Sequence, residues 1–390
     1  MVKVYLRNGK DKALRMGHPW VFSGAVHHVE GQANPGAICD VFTAGGELLG
    51  SGFINTASTI RVRMLSANGE TFNASELAQR ISDSVALRIP LLNEHTNCCR
   101  LVNSEGDRLP GLIVDKYGPG LCVQILTAGM DNLTADIVAC LGQCTSPAFI
   151  YERSDTDARL REGLTGRDGC LMGTLPHSNV TVLENGRRFN ADIATGQKTG
   201  FFLDQRENRA LFAEYATGKT ICDCFCYSGG FSVYGLSSGA EHAMLVDISK
   251  DAAVVARSNC ALNNINESRY ETVSADVFDY LRKTDKQFEC IVLDPPKFAK
   301  HKGEISAAAR GYKDINLLAM KNIKKNGILF TFSCSNAIDP TLFRQIVFAA
   351  AADSRRYVQV LHVLCAAPDH AFNIAHREGE YLKGLVLRVI

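Results

Sequence analysis

The chain has 390 residues, of which 46% are hydrophobic and 21% are charged, and its formal net charge is only +1. That length exceeds one ordinary domain, and the composition is typical of globular domains with an ample apolar core. No apolar run reaches the about 18 residues of a membrane-spanning helix, and the first ten residues lack the apolar segment of a secretion signal. We therefore expect neither a membrane span nor export.

The 14 cysteines are expected to be thiols, because a long chain without a secretion signal is not built as a disulfide scaffold. The sequence also lacks the paired C-x-x-C spacings of a zinc site. We therefore expect a cytoplasmic protein without a bound metal.

Basic residues gather at the start of the chain although the net charge is near zero. Residues 1–29 hold five of them against one acidic residue, Asp11, and the five are Lys3, Arg7, Lys10, Lys12 and Arg15. A local basic surface on a near-neutral protein is typical of RNA contact. An ordinary solvated charged face is the alternative.

Residues 1–72 contain short apolar strands separated by glycine and proline, which predicts a small β-barrel or sandwich. The expected strands are V-K-V-Y-L, P-W-V-F, A-I-C-D-V-F, L-L-G-S-G-F-I and T-I-R-V-R-M-L. Their order, the basic start and the segment G-H-P-W-V-F-S-G-A resemble a PUA domain, a small RNA-binding barrel. The resemblance implies that this region contacts RNA.

Residues 73–190 predict a mixed α/β connecting domain. Apolar residues at a spacing of three and four predict a helix over residues 75–88. The segment L-V-N-S-E-G-D-R-L-P-G-L-I-V-D-K-Y predicts a hairpin, and E-N-G-R within residues 180–190 predicts a second one. A strand, L-C-V-Q-I-L, and a helix over residues 135–144 lie between them.

Residues 191–390 alternate strands with helices, which predicts a parallel, doubly wound sheet of the Rossmann-like type. The expected strands are 220–225, 243–247, 270–274, 288–293, 327–333, 357–364 and 381–389. The expected helices are near 204–215, 231–238, 249–264, 276–284, 305–325 and 340–352.

A glycine-containing loop follows the first of these strands and predicts a site for a nucleoside-containing cofactor. The loop is C-Y-S-G-G-F, and an apolar strand that ends at Asp247 comes next. Glycine lets backbone N–H groups approach a ligand closely. A carboxylate about 20 residues beyond such a turn binds ribose hydroxyls. Ligands in open α/β sheets bind at this carboxyl edge of the strands.

An Asp-Pro-Pro turn follows the fourth strand of the sheet. Asp294 begins it, and two prolines cannot continue a central strand, so the chain must turn there. Together with the glycine loop and Asp247, this turn resembles the class I S-adenosylmethionine methyltransferases. That resemblance implies that Asp294 faces the methyl acceptor. A carboxylate can accept a hydrogen bond from the amino group of cytosine, which uracil lacks.

Cys334, in T-F-S-C-S-N at the end of the fifth strand, is the candidate nucleophile. A thiolate that adds to carbon 6 of a pyrimidine makes carbon 5 nucleophilic enough to accept a methyl group. The base that then removes the carbon 5 proton is not assigned; Lys297 is an outside candidate for it, and a surface or phosphate-binding lysine is the preferred reading of that residue. A buried structural cysteine is the alternative reading of Cys334.

Longer segments resemble the bacterial 23S ribosomal RNA large-subunit methyltransferase I family over nearly the whole chain. They are T-G-F-F-L-D-Q-R-E-N-R, D-C-F-C-Y-S-G-G-F, L-D-P-P-K-F, F-S-C-S and E-G-E-Y-L-K-G-L. The resemblance implies that Cys334 and Asp294 are catalytic, and that the Tyr227–Gly230 loop surrounds the methionine part of the cofactor. The residues expected to bind S-adenosyl-L-methionine are Thr199, Phe201, Asp204, Arg206, Asp223, Tyr227, Ser228, Gly229, Asp247, Ile248, Asp276, Val277 and Asp294.

We therefore expect an α/β protein in which a PUA-like domain and an α+β connector precede a Rossmann-like class I methyltransferase domain. Its expected activity is methylation of carbon 5 of a cytosine in 23S ribosomal RNA through a covalent cysteine adduct. Two alternatives remain: a base-nitrogen RNA methyltransferase in which Cys334 is inert, and a non-catalytic RNA-binding factor. Ribosomal RNA is the expected partner, and the formation of a homodimer is left open.

Overall fold

The structure of the chain, a computed structural model, describes residues 1–73, 75–196, 199–299 and 302–390. The chain divides into two units. The first comprises Met1–Val182, Ala191–Leu203 and Pro368–Gly379, and the second comprises Leu183–Asn190, Asp204–Ala367 and Glu380–Ile390.

The first unit begins with a six-stranded sheet in the order β2-β6-β5-β4-β1-β3. Its elements are β1 Val2–Leu6, α1 Lys12–Arg15, β2 Trp20–Phe22, β3 Val26–Glu30, β4 Ala37–Phe42, β5 Leu48–Ile54 and β6 Ile60–Met64. All five strands expected in residues 1–72 are present. The sequence analysis missed β3, which pairs antiparallel with β1.

A five-stranded sheet in the order β11-β10-β9-β8-β7 follows in the same unit. Its region contains α2 Ser75–Arg88, β7 Cys98–Asn103, β8 Leu112–Tyr117, β9 Gly120–Ile125, α3 Ala128–Asn132, α4 Thr134–Thr145, β10 Phe149–Arg153, α5 Asp157–Arg161 and β11 Asp168–Gly173. The first expected hairpin is confirmed, since β7 and β8 pair antiparallel. The strand β11 was not expected.

The second expected hairpin is also present, as β12 Asn179–Glu184 and β13 Arg187–Asp192. Asn185 and Gly186 form its turn with φ angles of 48° and 78°. Positive φ at both central residues is what a type I′ turn requires, and Asn-Gly is the pair that best tolerates it.

The second unit contains a seven-stranded sheet in the order β16-β15-β14-β17-β18-β20-β19. Its elements are α6 Arg206–Ala216, β14 Thr220–Cys224, α7 Gly230–Ser237, β15 His242–Asp247, α8 Lys250–Leu262, β16 Tyr270–Ser274, α9 Val277–Lys283, β17 Phe288–Leu293, α10 Ile305–Asn322, β18 Ile323–Ser333, α11 Pro340–Ser354, β19 Val358–Cys365 and β20 Lys383–Val389. Every strand and helix expected beyond residue 200 is present.

The strands from β16 to β18 run parallel, as expected, but β20 runs antiparallel to both of its neighbours. The expectation of a parallel sheet was therefore wrong for β20, whereas β19 runs in the same direction as the parallel strands. The helix expected over 305–325 also ends earlier, at Asn322, because Ile323 already pairs with Phe288 in the sheet. The core forms where buried side chains of the sheet pack against α9, α10 and α11.

Candidate active site

The parallel strands of the second unit end at one edge of the sheet. Their last residues are Cys224 in β14, Asp247 in β15, Leu293 in β17 and Ser333 in β18. Because Cys224 pairs with both Val246 and Leu293, these ends lie side by side. The residues that follow them are therefore brought to the same edge, as the sequence predicted.

The loop after β14 has an unusual backbone. Phe225, Tyr227 and Gly229 all have positive φ angles, of 61°, 45° and 70°. Such angles cost a residue other than glycine about 1–2 kcal/mol, and they persist only where the surroundings enforce them. Here the Cys226 N–H donates to the Val246 carbonyl at 3.2 Å. The loop is thus held against β15 in a conformation typical of ligand-binding segments.

Asp247 fixes the same loop from the end of β15. One of its carboxylate oxygens accepts from the Tyr227 N–H at 3.0 Å, and the other accepts from the Ser249 N–H at 2.9 Å. Ile248 follows with 71% of its side chain exposed. A half-buried carboxylate next to an exposed aliphatic side chain can bind a polar ring on one side and an apolar ring face on the other.

The end of β16 lies next to Asp247. The Ala275 N–H donates to the Asp247 carbonyl at 2.9 Å, and the Ser274 hydroxyl donates to the Ile248 carbonyl at 3.2 Å. Asp276 caps α9 by accepting from the Asp279 N–H at 3.0 Å, and Val277 is buried. The structure thus brings Asp276 to the edge that Asp247 occupies.

Asp223 lies within β14 and has only 2% of its surface exposed. Its Oδ2 accepts from the N–H and the hydroxyl of Ser232, at 3.0 and 2.8 Å. Burial raises the pKa of Asp223 to about 7, the Ser232 hydrogen bonds oppose this rise, and the negative charges of Asp294 and Asp247 add to it. Three acidic side chains therefore share this edge, and the negative charge of Asp247 and Asp294 favours a cationic ligand.

The glycine and the serine of the loop are packed closely. A Cβ atom at Gly229 would lie 3.0 Å from the Ala256 Cβ, so any side chain here would require its neighbours to shift. Ser228 is buried, and its carbonyl accepts from the Asn259 amide at 2.8 Å. The loop is consequently held by α8 as well as by β15.

The Asp-Pro-Pro turn and Cys334 lie together beyond β17 and β18. The Asp294 N–H lies 3.5 Å from the Cys224 carbonyl, and the Cys334 thiol donates to the Pro295 carbonyl with an Sγ–O distance of 3.8 Å. Both side chains are half-buried. The next residue, Ser335, joins the two segments, since its hydroxyl accepts from the Ala299 N–H at 3.3 Å.

Lys383, which the sequence analysis missed, borders the same segment from β20. Its side chain is buried, and its ammonium donates to the carbonyls of Ser335 at 2.8 Å and Ile338 at 2.6 Å. Its sequence signal is a charged residue at the start of a mostly apolar strand.

The remaining expected cofactor residues lie upstream of β14. In the second unit, the Asp204 carboxylate accepts from the Tyr381 hydroxyl at 2.6 Å, and the Arg206 Nε donates to the Glu207 carboxylate at 2.9 Å. Thr199 and Phe201 belong to the first unit. Within it, the Thr199 hydroxyl donates to Asp115 at 2.6 Å. Gln197 and Lys198 of the same predicted stretch lie outside the described residues.

Among the described residues, no group of three or more His, Cys, Asp or Glu side chains is arranged to hold a metal ion. In the same part of the chain, no helix is both long enough and apolar enough to cross a membrane.

The chain is similar to known proteins over its whole length. The family described as PUA-like domain matches residues 4–67, and the family described as S-adenosylmethionine-dependent methyltransferase matches residues 160–376. The relative named ribosomal RNA large subunit methyltransferase I from Shewanella amazonensis is 42% identical, over 100% of this chain and 99% of its own. The relative of the same name from Aliivibrio fischeri is 39% identical, over 100% of both chains.

Two solved structures have the same fold over 100% of both chains. SMU.776, provisionally described as a methyltransferase and complexed with SAH, aligns with a TM-score of 0.87 at 22% identity. A Streptococcus mutans protein, provisionally described as SAM-dependent, aligns with a TM-score of 0.86 at 21% identity. The expected fold, a PUA-like domain followed by a Rossmann-like methyltransferase, is confirmed.

Proposed function

The chain belongs to the ribosomal RNA large subunit methyltransferase I family, and from this premise we propose that it methylates carbon 5 of a cytosine in 23S ribosomal RNA with Cys334 as the nucleophile. Its methyl donor is S-adenosyl-L-methionine, as in the methyltransferase family that matches residues 160–376. The observation that carries the proposal is the contact between the Cys334 thiol and the Pro295 carbonyl, 3.8 Å apart.

The edge of the sheet suits this cofactor in charge. S-adenosylmethionine carries a net positive charge, and Asp247 and Asp294 supply negative charge around the loop, to which Asp223 adds above its pKa of about 7. Asp247 would bind the ribose hydroxyls, while Ile248, Asp276 and Val277 would border the adenine. When bound, the cofactor supplies an electrophilic methyl group.

The rest of the expected cofactor set would hold the amino-acid end. The loop from Tyr227 to Gly229 would border the methionine part, because a glycine-containing loop lets a ligand approach the backbone closely. Asp204 and Arg206 would add one charge of each sign, which suits a zwitterion. Asp223 and Ser228 complete the set within the second unit, and the assignment of Thr199 and Phe201, which belong to the first unit, stays a prediction.

Cys334 would act on the cytosine ring by covalent catalysis. Its thiolate would add to carbon 6, forming a C–S bond and moving the ring π electrons onto carbon 5, which then accepts the methyl group. A base would take the proton from carbon 5, and the returning electron pair would expel the thiolate and restore the double bond. A stacked cytosine cannot expose carbon 6, so the target base would be single-stranded or flipped out.

Asp294 would orient the target base. As a carboxylate it would accept a hydrogen bond from the exocyclic amino group, and if protonated it would donate to ring nitrogen 3. The Asp-Pro-Pro turn and Cys334 would therefore contact the same base from two adjacent strands.

The first unit would contribute RNA binding through its PUA-like residues 4–67. Basic side chains at its start favour contact with phosphates, and such contact would weaken with added salt. We place this activity in the cytoplasm, where ribosomal RNA is made in bacteria.

Replacing Cys334 by Ala tests the proposal. We expect methyl transfer to ribosomal RNA to fall to background while S-adenosylmethionine binding, followed by calorimetry, stays within about twofold, because the thiol contributes to the chemical step and not to the cofactor site. The matched control is Cys365→Ala, which removes an exposed thiol of the same unit.

Two results would contradict the proposal that Cys334 is the nucleophile in cytosine methylation. Near-normal methylation by Cys334→Ala would favour a base-nitrogen acceptor, which needs no thiol. Failure of the unmodified protein to bind S-adenosylmethionine would favour an RNA-binding factor without catalysis. Mass spectrometry of the nucleosides in the product RNA identifies the methylated atom.

A further inference from the structure

Lys383 is a buried cation at the end of the sheet that carries Cys334. It is the first residue of β20, where it pairs with Ser333, the residue directly before Cys334. Only 5% of its surface is exposed. A lysine is rarely buried unless its charge is compensated, so this position calls for a reason.

The Lys383 ammonium holds the turn that follows Cys334. It donates to the carbonyls of Ser335 and Ile338, at 2.8 and 2.6 Å. The Ser335 carbonyl also accepts from the Ile338 N–H at 3.1 Å, which closes a four-residue turn. The Ser335 hydroxyl lies 3.1 Å from the Tyr312 hydroxyl. The segment directly after Cys334 is therefore fixed on several sides.

Cys334 is one of the ionisable groups whose charge acts on Lys383. Burial lowers the pKa of Lys383 to about 8, while Cys334, Glu380 and Asp339 oppose this fall and Lys297 adds to it. At pH 7 the lysine is therefore mostly protonated. In contrast, the Pro295 carbonyl accepts a hydrogen bond from the Cys334 thiol, a contact that only the protonated form can make.

We propose that Lys383 is a positioning residue that stabilises the thiolate of Cys334 through its charge and fixes the Cys334 turn through its two hydrogen bonds. This inference rests on the proposed function, in which the thiolate attacks the base. The thiol proton leaves to solvent, Lys383 keeps its own proton throughout, and the thiolate that is later expelled returns beside the same cation.

The pH dependence of Cys334 alkylation tests whether Lys383 stabilises the thiolate, and the measurement needs neither RNA nor cofactor. Isotope-labelled iodoacetamide is quantified by mass spectrometry on the tryptic peptide of residues 326–344, in which Cys334 is the only cysteine. We expect the unmodified protein to alkylate Cys334 with a midpoint below the about pH 8.5 of an ordinary cysteine. A midpoint at or above that value would overturn the proposal, whatever any variant does.

Lys383→Gln separates charge from shape, since the amide keeps a donor and loses the charge. We expect its alkylation midpoint to rise by about one pH unit and its rate at pH 7 to fall about tenfold, the usual effect of losing an opposite charge nearby. Lys383→Arg keeps the charge and should restore most of the rate. Thermal melting confirms that both variants fold.

Lys297→Gln is the matched control, because it removes an exposed cation of the same neighbourhood. Water screens an exposed charge, so we expect a shift well below that of Lys383→Gln. Equal shifts in the two variants, or none in Lys383→Gln, would overturn the proposal. The proposed function is tested separately: near-normal methylation of RNA by Cys334→Ala would contradict it.

Discussion

The carboxylate of Asp247 accepts a hydrogen bond of 3.0 Å from the backbone N–H of Tyr227. This bond joins the end of β15 to the loop after β14, where Tyr227 has a φ angle of 45°. The residue that we propose to bind the ribose therefore also shapes the loop proposed to bind the methionine part. A change at Asp247 should disturb both ends of the cofactor.

Replacing Asp247 by Ala should weaken S-adenosylmethionine binding by about 100-fold or more. Hydrogen bonds to a charged group are worth about 1.5–3 kcal/mol each, and the loop loses its anchor as well. Isothermal titration calorimetry measures the effect directly. Asp251→Asn is the control, because this exposed carboxylate lies on the first turn of α8, four residues away. Equal affinities for the two variants would contradict the assignment of Asp247.

The sequence was enough to predict where the polar residues at the ends of the parallel strands lie. Asp247, Asp294 and Cys334 could be expected together, because parallel strands end at the same edge of a sheet and polar residues mark those ends. The strands themselves were predictable because they are short runs rich in Val, Ile, Leu and Cys with turn-forming or polar residues on both sides.

The features that the sequence analysis missed, β3 and Lys383, depend on pairing with residues that are distant in the chain. The strand β3, V-H-H-V-E, has no clear alternation and exists because it pairs with β1. The sequence analysis did not identify Lys383 as a site residue, for a related reason. It belongs to an antiparallel strand that begins, rather than ends, at the edge of the site, so the rule that finds residues at strand ends does not include it.

Replacing Gly229 by Ala should damage both stability and cofactor binding. The position has a φ angle of 70°, and an added Cβ would lie 3.0 Å from the Ala256 Cβ and 3.2 Å from the Leu245 Cδ2. We expect a loss of about 2–4 kcal/mol, from left-handed backbone and overpacking together. Thermal melting and calorimetry with S-adenosylmethionine measure the two effects.

Gly218→Ala is a closely matched control for that variant. Gly218 has a φ angle of 68°, but nothing lies within 4 Å of the Cβ it would acquire. It should lose about 1 kcal/mol from its backbone alone and keep its affinity for the cofactor. If both variants bound S-adenosylmethionine equally well, the close fit around Gly229 would have no role in the cofactor site.

Replacing Asp223 by Asn should stabilise the protein more at pH 8 than at pH 5. Burial raises the pKa of Asp223 to about 7 from its usual 3.8. Between these values the folded protein keeps a proton that the unfolded chain has lost, so the contribution of Asp223 to stability falls as the pH rises and is lowest above pH 7. Asparagine does not titrate, and its amide oxygen can still accept from Ser232.

The measurement is the melting temperature of both proteins, without cofactor, at several pH values from 4.5 to 8.5. We expect the difference between Asp223→Asn and the unmodified protein to grow by about 3 °C or more over this range. Asp285→Asn, at an exposed carboxylate of the same unit, should show no such trend. A difference that stays constant with pH would mean that Asp223 is already ionised at pH 5 in the folded protein. The negative charge of this edge would then be present at every pH tested, and the affinity for the cationic cofactor should not fall between pH 8 and pH 6.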